Sequence, residues 1–265
     1  MYASMLNASG EEFLDPLFGR PLVVLVFSLV VLWLSVQLGA YLRKKLPPPQ
    51  DDERSDLGLV INSSLTLLAL IIGFSFSMAV SRYDQRKNYE EEEANAIGTE
   101  YVRADLLPSS DAGKVKELLR QYLDHRLVFF TTRDEQELDR TNNETTQLQD
   151  QMWSIVQHAA VAQPTPIIGL VVSGMNDVLN RQGYTQAAWW NRIPVGAWSL
   201  MIALGVCCCV LVGYGSHQQQ RVLIIILPFL LSVAFFLIAD IDSPRRGIIR
   251  VHPQNLISLQ ESLHK

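Results

Sequence analysis

Four long runs without a charged residue dominate this chain and dictate that it crosses a lipid bilayer. They cover residues 21–42, 57–81, 193–216 and 222–239, lengths of 22, 25, 24 and 18 residues. A helix rises 1.5 Å per residue and the hydrocarbon core is about 30 Å thick, so roughly 20 residues make one crossing. Lipid offers no hydrogen bonds to the backbone, so such runs cross as helices. The expected fold is an all-α integral membrane protein with four transmembrane helices in two hairpins. The expected division is an N-terminal segment at 1–20, a hairpin at 21–81, a helical domain at 82–192, a second hairpin at 193–239 and a tail at 240–265.

The inserted domain carries the charge. Residues 82–192 hold 12 Lys/Arg and 17 Asp/Glu, a balance of −5 that equals the formal charge of the whole chain. A mildly acidic domain with no basic stripe excludes nucleic acid as a partner. Cys207, Cys208 and Cys209 are consecutive in the third run. Helical neighbours point about 100° apart, and no His or Asp lies nearby, so the trio reads as helix-packing residues rather than a metal or disulfide set. No cofactor or metal is expected. Residues 1–19 contain Glu11, Glu12 and Asp15 but no lysine or arginine, unlike a secretory signal, so the first run is expected to stay as a span.

Basic residues at the span ends set the expected topology. With four crossings, Arg20, Arg82, Arg86, Lys87, Arg192, Arg245, Arg246 and Arg250 share one side, and Arg43, Lys44, Lys45, Arg54 and Arg221 the other. The larger set places both termini and the insert in the cytoplasm. The link at 43–56 holds Pro47, Pro48 and Pro49, with Ser55 or Asp56 as a cap for the next helix. The link after the third span is tighter, at 217–221, with Tyr214-Gly215-Ser216 marking its turn.

Within the insert, Val115, Leu118, Leu119, Tyr122, Leu123, Leu127 and Phe130 recur at helical spacing, predicting one buried stripe. Leu138, Leu148, Met152, Ile155, Val156 and Ala159 predict a second helix. Ile168, Val171, Val172, Met175, Val178 and Leu179 predict a third, which Gly183 is expected to end. Trp189, Trp190 and Trp198 are expected at the membrane interface. Residues 81–107 contain no proline and only Gly98, so the second span is expected to continue as a long helix beyond the membrane.

Candidate chemistry is sparse. Glu90 to Glu93 spread around a helix, with Glu90 and Glu93 on one face and Arg86 a turn earlier. A solvated face, a salt-bridge network and a regulatory cation site all fit this run. His125 and His158 lack ligand spacing, and no nucleophile elbow or glycine-rich phosphate loop is present, so the chain does not read as an enzyme. Asn62, Ser63, Ser64, Thr66, Ser75 and Ser77 give the second span polarity beside Leu70, Phe74 and Met78. Pore lining and ordinary interhelical hydrogen bonding both account for these residues.

Three stretches resemble a known family. They are Gly73-Phe74-Ser75-Phe76-Ser77 with Arg82-Tyr83-Asp84-Gln85-Arg86; Glu93-Ala94-Asn95-Ala96-Ile97-Gly98 with Tyr101, Arg103 and Leu106-Leu107-Pro108; and Asp240-Ile241-Asp242-Ser243-Pro244-Arg245-Arg246-Gly247. With the two-plus-two spans they resemble bacterial membrane proteins of the DUF4239 type, the bestrophin-like domain proteins. More distantly, Gly73, Phe74 and Arg82 are similar to a spacing in bestrophins, pentameric channels whose second span lines the pore. The sequence departs from bestrophins where Thr66 replaces an apolar neck residue and Tyr83-Asp84-Gln85 replaces a tryptophan-rich segment.

The resemblance implies a bestrophin-like homo-oligomeric ion channel, a pentamer in a bacterial inner membrane, with inorganic ions as its cargo. Thr66, Leu70, Phe74 and Ser77 are then the pore-lining candidates. The alternative is a non-conducting anchor or sensor that binds cytoplasmic partners through the insert. A structural or regulatory cluster is expected from Arg82, Arg86, Glu90, Glu93, Asn95, Arg103, Asp240 and Asp242. In it, Arg86 pairs with Glu90, and the two aspartates emerge near Arg82 or Arg86.

Overall fold

The computed structural model describes residues 20–45, 51–215 and 221–264. The N-terminal segment, the triple-proline link and the tight 216–220 turn lie outside the described residues. Among those described, every regular element is helical. In order come α1 (Pro21–Lys45), α2 (Asp51–Arg103), a 3-10 turn (Ala104–Leu106), α3 (Ser109–Thr131), α4 (Glu135–Ala162), α5 (Pro166–Trp190), α6 (Val195–Gly215), α7 (Arg221–Asp242) and α8 (Gln254–Leu263). Among the described residues, four helices are long and apolar enough to cross a membrane.

The chain divides into two compact units: Met1–Ser81 with Arg192–Ile249, and Arg82–Asn191 with Arg250–Lys265. The segment read from sequence as one tail is thus shared between them, and α2 contributes to both.

In the membrane unit, α1 packs along α6 and α7. Two glycines make the α1–α6 approach possible. A Cβ on Gly39 would lie 2.1 Å from the Val210 carbonyl oxygen, and one on Gly213 would lie 2.1 Å from that of Val36. Backbones that close tolerate no side chain, which is the usual route to tight packing where no hydrophobic effect drives helices together. Cys208 and Cys209 are buried and Cys207 exposed, all as free thiols. Ser28, Ser35 and Ser232 are buried. Each hydroxyl donates to a carbonyl of its own helix, at Leu25, Val31 and Pro228 respectively.

The second unit gathers the distal part of α2, α3, α4, α5 and α8 around one apolar core. Val115, Leu119, Tyr122 and Leu123 meet Met152, Val156, Val171, Met175 and Val178 there. These are the three stripes expected from sequence. Asp134 caps α4 by accepting from the Gln136 amide, and Thr165 caps α5 by accepting from Ile168, with Pro166 in its first turn. Three expectations need correction. Helix α2 starts at Asp51, ahead of the Ser55 or Asp56 cap read from sequence. Gly183 does not end α5, because the buried stripe continues through Thr185, Ala188 and Trp189. Trp189 is not interfacial: its ring meets Phe129 and Phe130 edge-on, at 5.0 and 5.4 Å, in the core of this unit.

Candidate functional site: the two faces of helix α2

One buried stripe runs along α2 from Leu68 to Glu100: Leu68, Ser75, Ala79, Arg86, Glu90, Glu93, Ile97 and Glu100. The spacing of three, four and seven residues keeps them on one side of a helix. Beyond Ala79 most of this stripe is charged, and three of its four charges, Arg86, Glu90 and Glu93, bind groups of other helices.

Arg86, 1% exposed, reaches the C-terminus of α5. Its Nε donates to the Ala188 carbonyl at 3.2 Å and an Nη to the Asn191 carbonyl at 3.4 Å. Those carbonyls belong to the last turn, which has no intrahelical donors and a partial negative charge, so a guanidinium is well placed there. Glu90 acts at the opposite kind of helix end. Helix α8 begins after Pro253, whose side chain cannot cap it. Glu90 accepts the Leu256 amide at 2.9 Å and the Asn255 side-chain amide at 2.7 Å, supplying the missing cap from another helix.

Glu93 binds Arg126 of α3 with both partners fully buried. A second guanidinium nitrogen donates to it at 3.4 Å, and the Thr185 hydroxyl of α5 donates at 2.8 Å. The guanidinium also lies over the Phe129 ring, 4.2 Å from its centre. Burial alone would favour neutral Arg126. The charge and hydrogen bond of Glu93, together with Tyr122, offset it and hold the pKa above its ordinary value. Next to the Glu93 pair, Arg181 binds half-buried Glu92.

Glu100 is fully buried, and both carboxylate oxygens lack a hydrogen-bond partner among the described residues. It sits against Gly174 of α5, where a Cβ would lie 1.9 Å from a Glu100 oxygen. Burial pushes its pKa up to about 8; Arg103 opposes the shift and Asp177 adds to it. Arg103 is half-buried and points toward the Leu170 carbonyl at 3.5 Å.

Asn95 is exposed and borders a groove of about 550 Å³ with Gly98, Asn255 and Leu259. Arg82 is half-buried. In the membrane unit, Asp240 and Asp242 are buried and bind backbone amides. Asp240 accepts from Ile248 and Ile249 at 2.7 and 2.8 Å, and Asp242 from Ile193 at 3.2 and 3.0 Å. Among the described residues no group of three His, Cys, Asp or Glu is arranged to hold a metal. Sequence reasoning missed Arg126, Thr185 and Glu100. Arg126 could have been found as a lone charge within the Leu119–Tyr122–Phe130 stripe, and Glu100 as the continuation of Glu93 and Ile97.

The opposite face of α2 is open. Ser63, Thr66, Leu70, Phe74, Ser77 and Ser81 lie along it, followed by Asp84, Asn88, Glu91 and Asn95, all exposed. Leu70 and Phe74 are 52% and 62% exposed. The Thr66 hydroxyl donates to the Asn62 carbonyl at 2.8 Å, so its proton is already used within the helix.

This two-faced helix lies inside a segment that a family model recognises. The model, described as the bestrophin-like domain, matches residues 24–256. The chain belongs to the bestrophin-like family. Solved structures agree with that assignment at the level of fold. A bacterial bestrophin homologue from Klebsiella pneumoniae, in a tyrosine-to-alanine variant, is 14% identical with a TM-score of 0.63, covering 90% of this chain and 97% of that one. Its tryptophan-to-alanine variant is 15% identical at a TM-score of 0.63, with 90% and 95% covered. The homologue's structure phased with zinc gives 14% and 0.61, with 90% and 95% covered. No curated protein matches the sequence. As a bestrophin-like protein, the chain has the family's helical architecture with the exposed face of α2 in its second span.

Proposed function

We propose that this bestrophin-like protein is a homo-oligomeric ion channel in which α2 helices from several copies surround a central axis. The observation that carries the reading is where the hydroxyl groups sit. Helices α1 and α7 bury Ser28, Ser35 and Ser232. Along α1 the exposed side chains include Leu22, Val26, Phe27, Val30, Leu34 and Leu38, a surface suited to lipid. Helix α2 buries Ser75 but exposes Ser63, Thr66, Ser77 and Ser81 among its apolar residues. Only 6% of its most apolar stretch is buried by its own chain, against 33%, 28% and 50% for the other three spans. Polar groups facing hydrocarbon are costly, so a face of this composition belongs against water or other copies of α2.

In this arrangement Thr66, Leu70 and Phe74 are successive one-turn steps, spanning about 12 Å along the axis. Rings of Leu70 and Phe74 form a dry constriction that gates by dewetting. Because its hydroxyl proton is committed to Asn62, Thr66 presents its methyl group and an acceptor oxygen to the opening. Ser77 widens the polar side, and Asp84, Asn88, Glu91 and Asn95 line the approach from the insert. A pentamer, both termini and the insert in the cytoplasm, and a bacterial inner membrane complete the proposal. The excess of basic residues at that side supports the orientation.

Current through planar bilayers containing purified protein tests it. Leu70→Ala and Phe74→Ala should each raise the open probability or conductance. No current from any of the three proteins, together with a monomeric mass in nanodiscs, would leave the anchor or sensor reading.

A further inference from the structure

We propose that Glu100 is a proton-operated latch between α2 and the first half of α5: neutral, it lets the two helices close at Gly174, and ionised, it releases residues 166–174. The buried acids of α2 differ in their partners. Glu90 accepts from the Leu256 amide and the Asn255 side chain, and Glu93 from Arg126 and Thr185. Glu100 is just as buried, yet neither of its oxygens has a donor among the described residues. A Cβ on Gly174 would stand 1.9 Å from one of them, so α5 covers this carboxyl with bare backbone. A carboxylate without donors is costly in such a place, whereas the neutral acid is tolerated.

The charged neighbours do not rescue the ionised form. Burial pushes the Glu100 pKa up to about 8 although Arg103 of α2 opposes the shift, and Asp177 of α5 adds to it. Charges on the other elements packed around this stretch are engaged with one another or exposed. Asp105 of the 3-10 turn binds Lys116 of α3, and Arg120 of α3 donates to the Tyr101 hydroxyl. Arg181 of α5 binds Glu92, and Glu261 of α8 is exposed.

Helix α5 is fastened to α2 unevenly. Its second half is held by Arg181 on Glu92, by Thr185 on Glu93, and by Arg86 on the carbonyls of Ala188 and Asn191. Its first half has the Arg103 bond to the Leu170 carbonyl, at 3.5 Å beyond the usual range. Loss of the Glu100 proton therefore acts on the weaker half, where water reaches the carboxylate only when residues 166–174 part from α2. Once parted, Glu100 ionises as it would in water, so each opening releases one proton. The opened population then grows about tenfold per pH unit between about pH 5.5 and 7.5. The inference concerns the insert alone and is independent of whether the protein conducts.

Hydrogen–deuterium exchange of the full chain in detergent, read by mass spectrometry across that pH range, tests it. Hydroxide catalysis by itself raises amide exchange about tenfold per pH unit at every position. Residues 166–174 should instead speed up about a hundredfold per unit, the product of the two effects, while residues 182–190 keep the tenfold dependence. In Glu100→Gln the two segments should respond alike. The comparison of segments within the unmodified chain stands even where that variant fails to fold. A tenfold dependence at 166–174 would overturn the proposal. A hundredfold dependence at both segments would overturn it too, since the proton would then govern unfolding of the whole unit, and so would a steep response retained by Glu100→Gln.

Discussion

Replacing Glu93 by alanine should be the most damaging single change in the acidic run of α2. Glu93 and Arg126 have no exposed side-chain surface, and the Thr185 hydroxyl donates to the same carboxylate. Without Glu93, a guanidinium is left buried with no counter-ion and Thr185 loses its acceptor. Breaking one side of a buried pair costs about 3–5 kcal/mol. For a chain of this size each kcal/mol lowers the midpoint of thermal unfolding by about 2–4 °C, so the expected drop is on the order of 10 °C. Glu91, two residues away, is exposed and should shift the midpoint by about 1 °C when replaced by alanine. The assay is thermal unfolding of the full chain in one detergent at one scan rate, which keeps the comparison valid if unfolding is irreversible. A double-mutant cycle with Arg126→Ala should show the two losses to be strongly less than additive, because either removal breaks the same pair. Equal midpoints for Glu93→Ala and Glu91→Ala, or strict additivity in the cycle, would refute the reasoning.

Other changes follow from the same geometry. Glu100 has a folded-state pKa of about 8 against an ordinary 4.5, so the unfolded chain loses this proton first as pH rises. Its contribution to stability is fully present below pH 4.5, declines between 4.5 and 8, and levels off above; Glu100→Gln should remove that slope from a series of melts across this range. Glu90→Ala should release α8 while leaving the core of its unit folded, seen as faster amide exchange confined to residues 254–263. Gly39→Val or Gly213→Leu would drive a side chain into backbone 2.1 Å away, and size-exclusion profiles in detergent should show loss of the folded species.

The spans and the three insert stripes are legible in sequence because each rests on a periodicity that local spacing sets. Residues such as Leu119, Met152 and Val171 announce a buried face whatever the partner helix is. The long α2 is legible for a related reason, since residues 81–107 hold no proline and only one glycine, Gly98; the helix ends at Arg103, where a 3-10 turn follows. The partners of the charged residues are another matter. Arg86 and Glu90 are one turn apart, which suggests pairing along the helix, but nothing local announces their bonds to the carbonyls at the end of α5 and the amide at the start of α8. No spacing rule brings residue 86 to 188, or 90 to 256; only the packed unit does. Arg126 escapes notice because a charge on an apolar stripe reads as an interruption until its counter-ion is seen. Gly183 misleads because its isolated effect on helix propensity, about 1 kcal/mol, is smaller than the gain from burying Thr185, Ala188 and Trp189 beyond it.

The pore-lining proposal rests on an exposed face, and the direct measurement is electron cryo-microscopy of the full chain in lipid nanodiscs. The account predicts a ring of identical copies with Thr66, Leu70 and Phe74 of every α2 turned to the axis and the serine-bearing face screened from lipid. A monomer, or a ring in which this face of α2 meets the bilayer while another helix lines the centre, would contradict it.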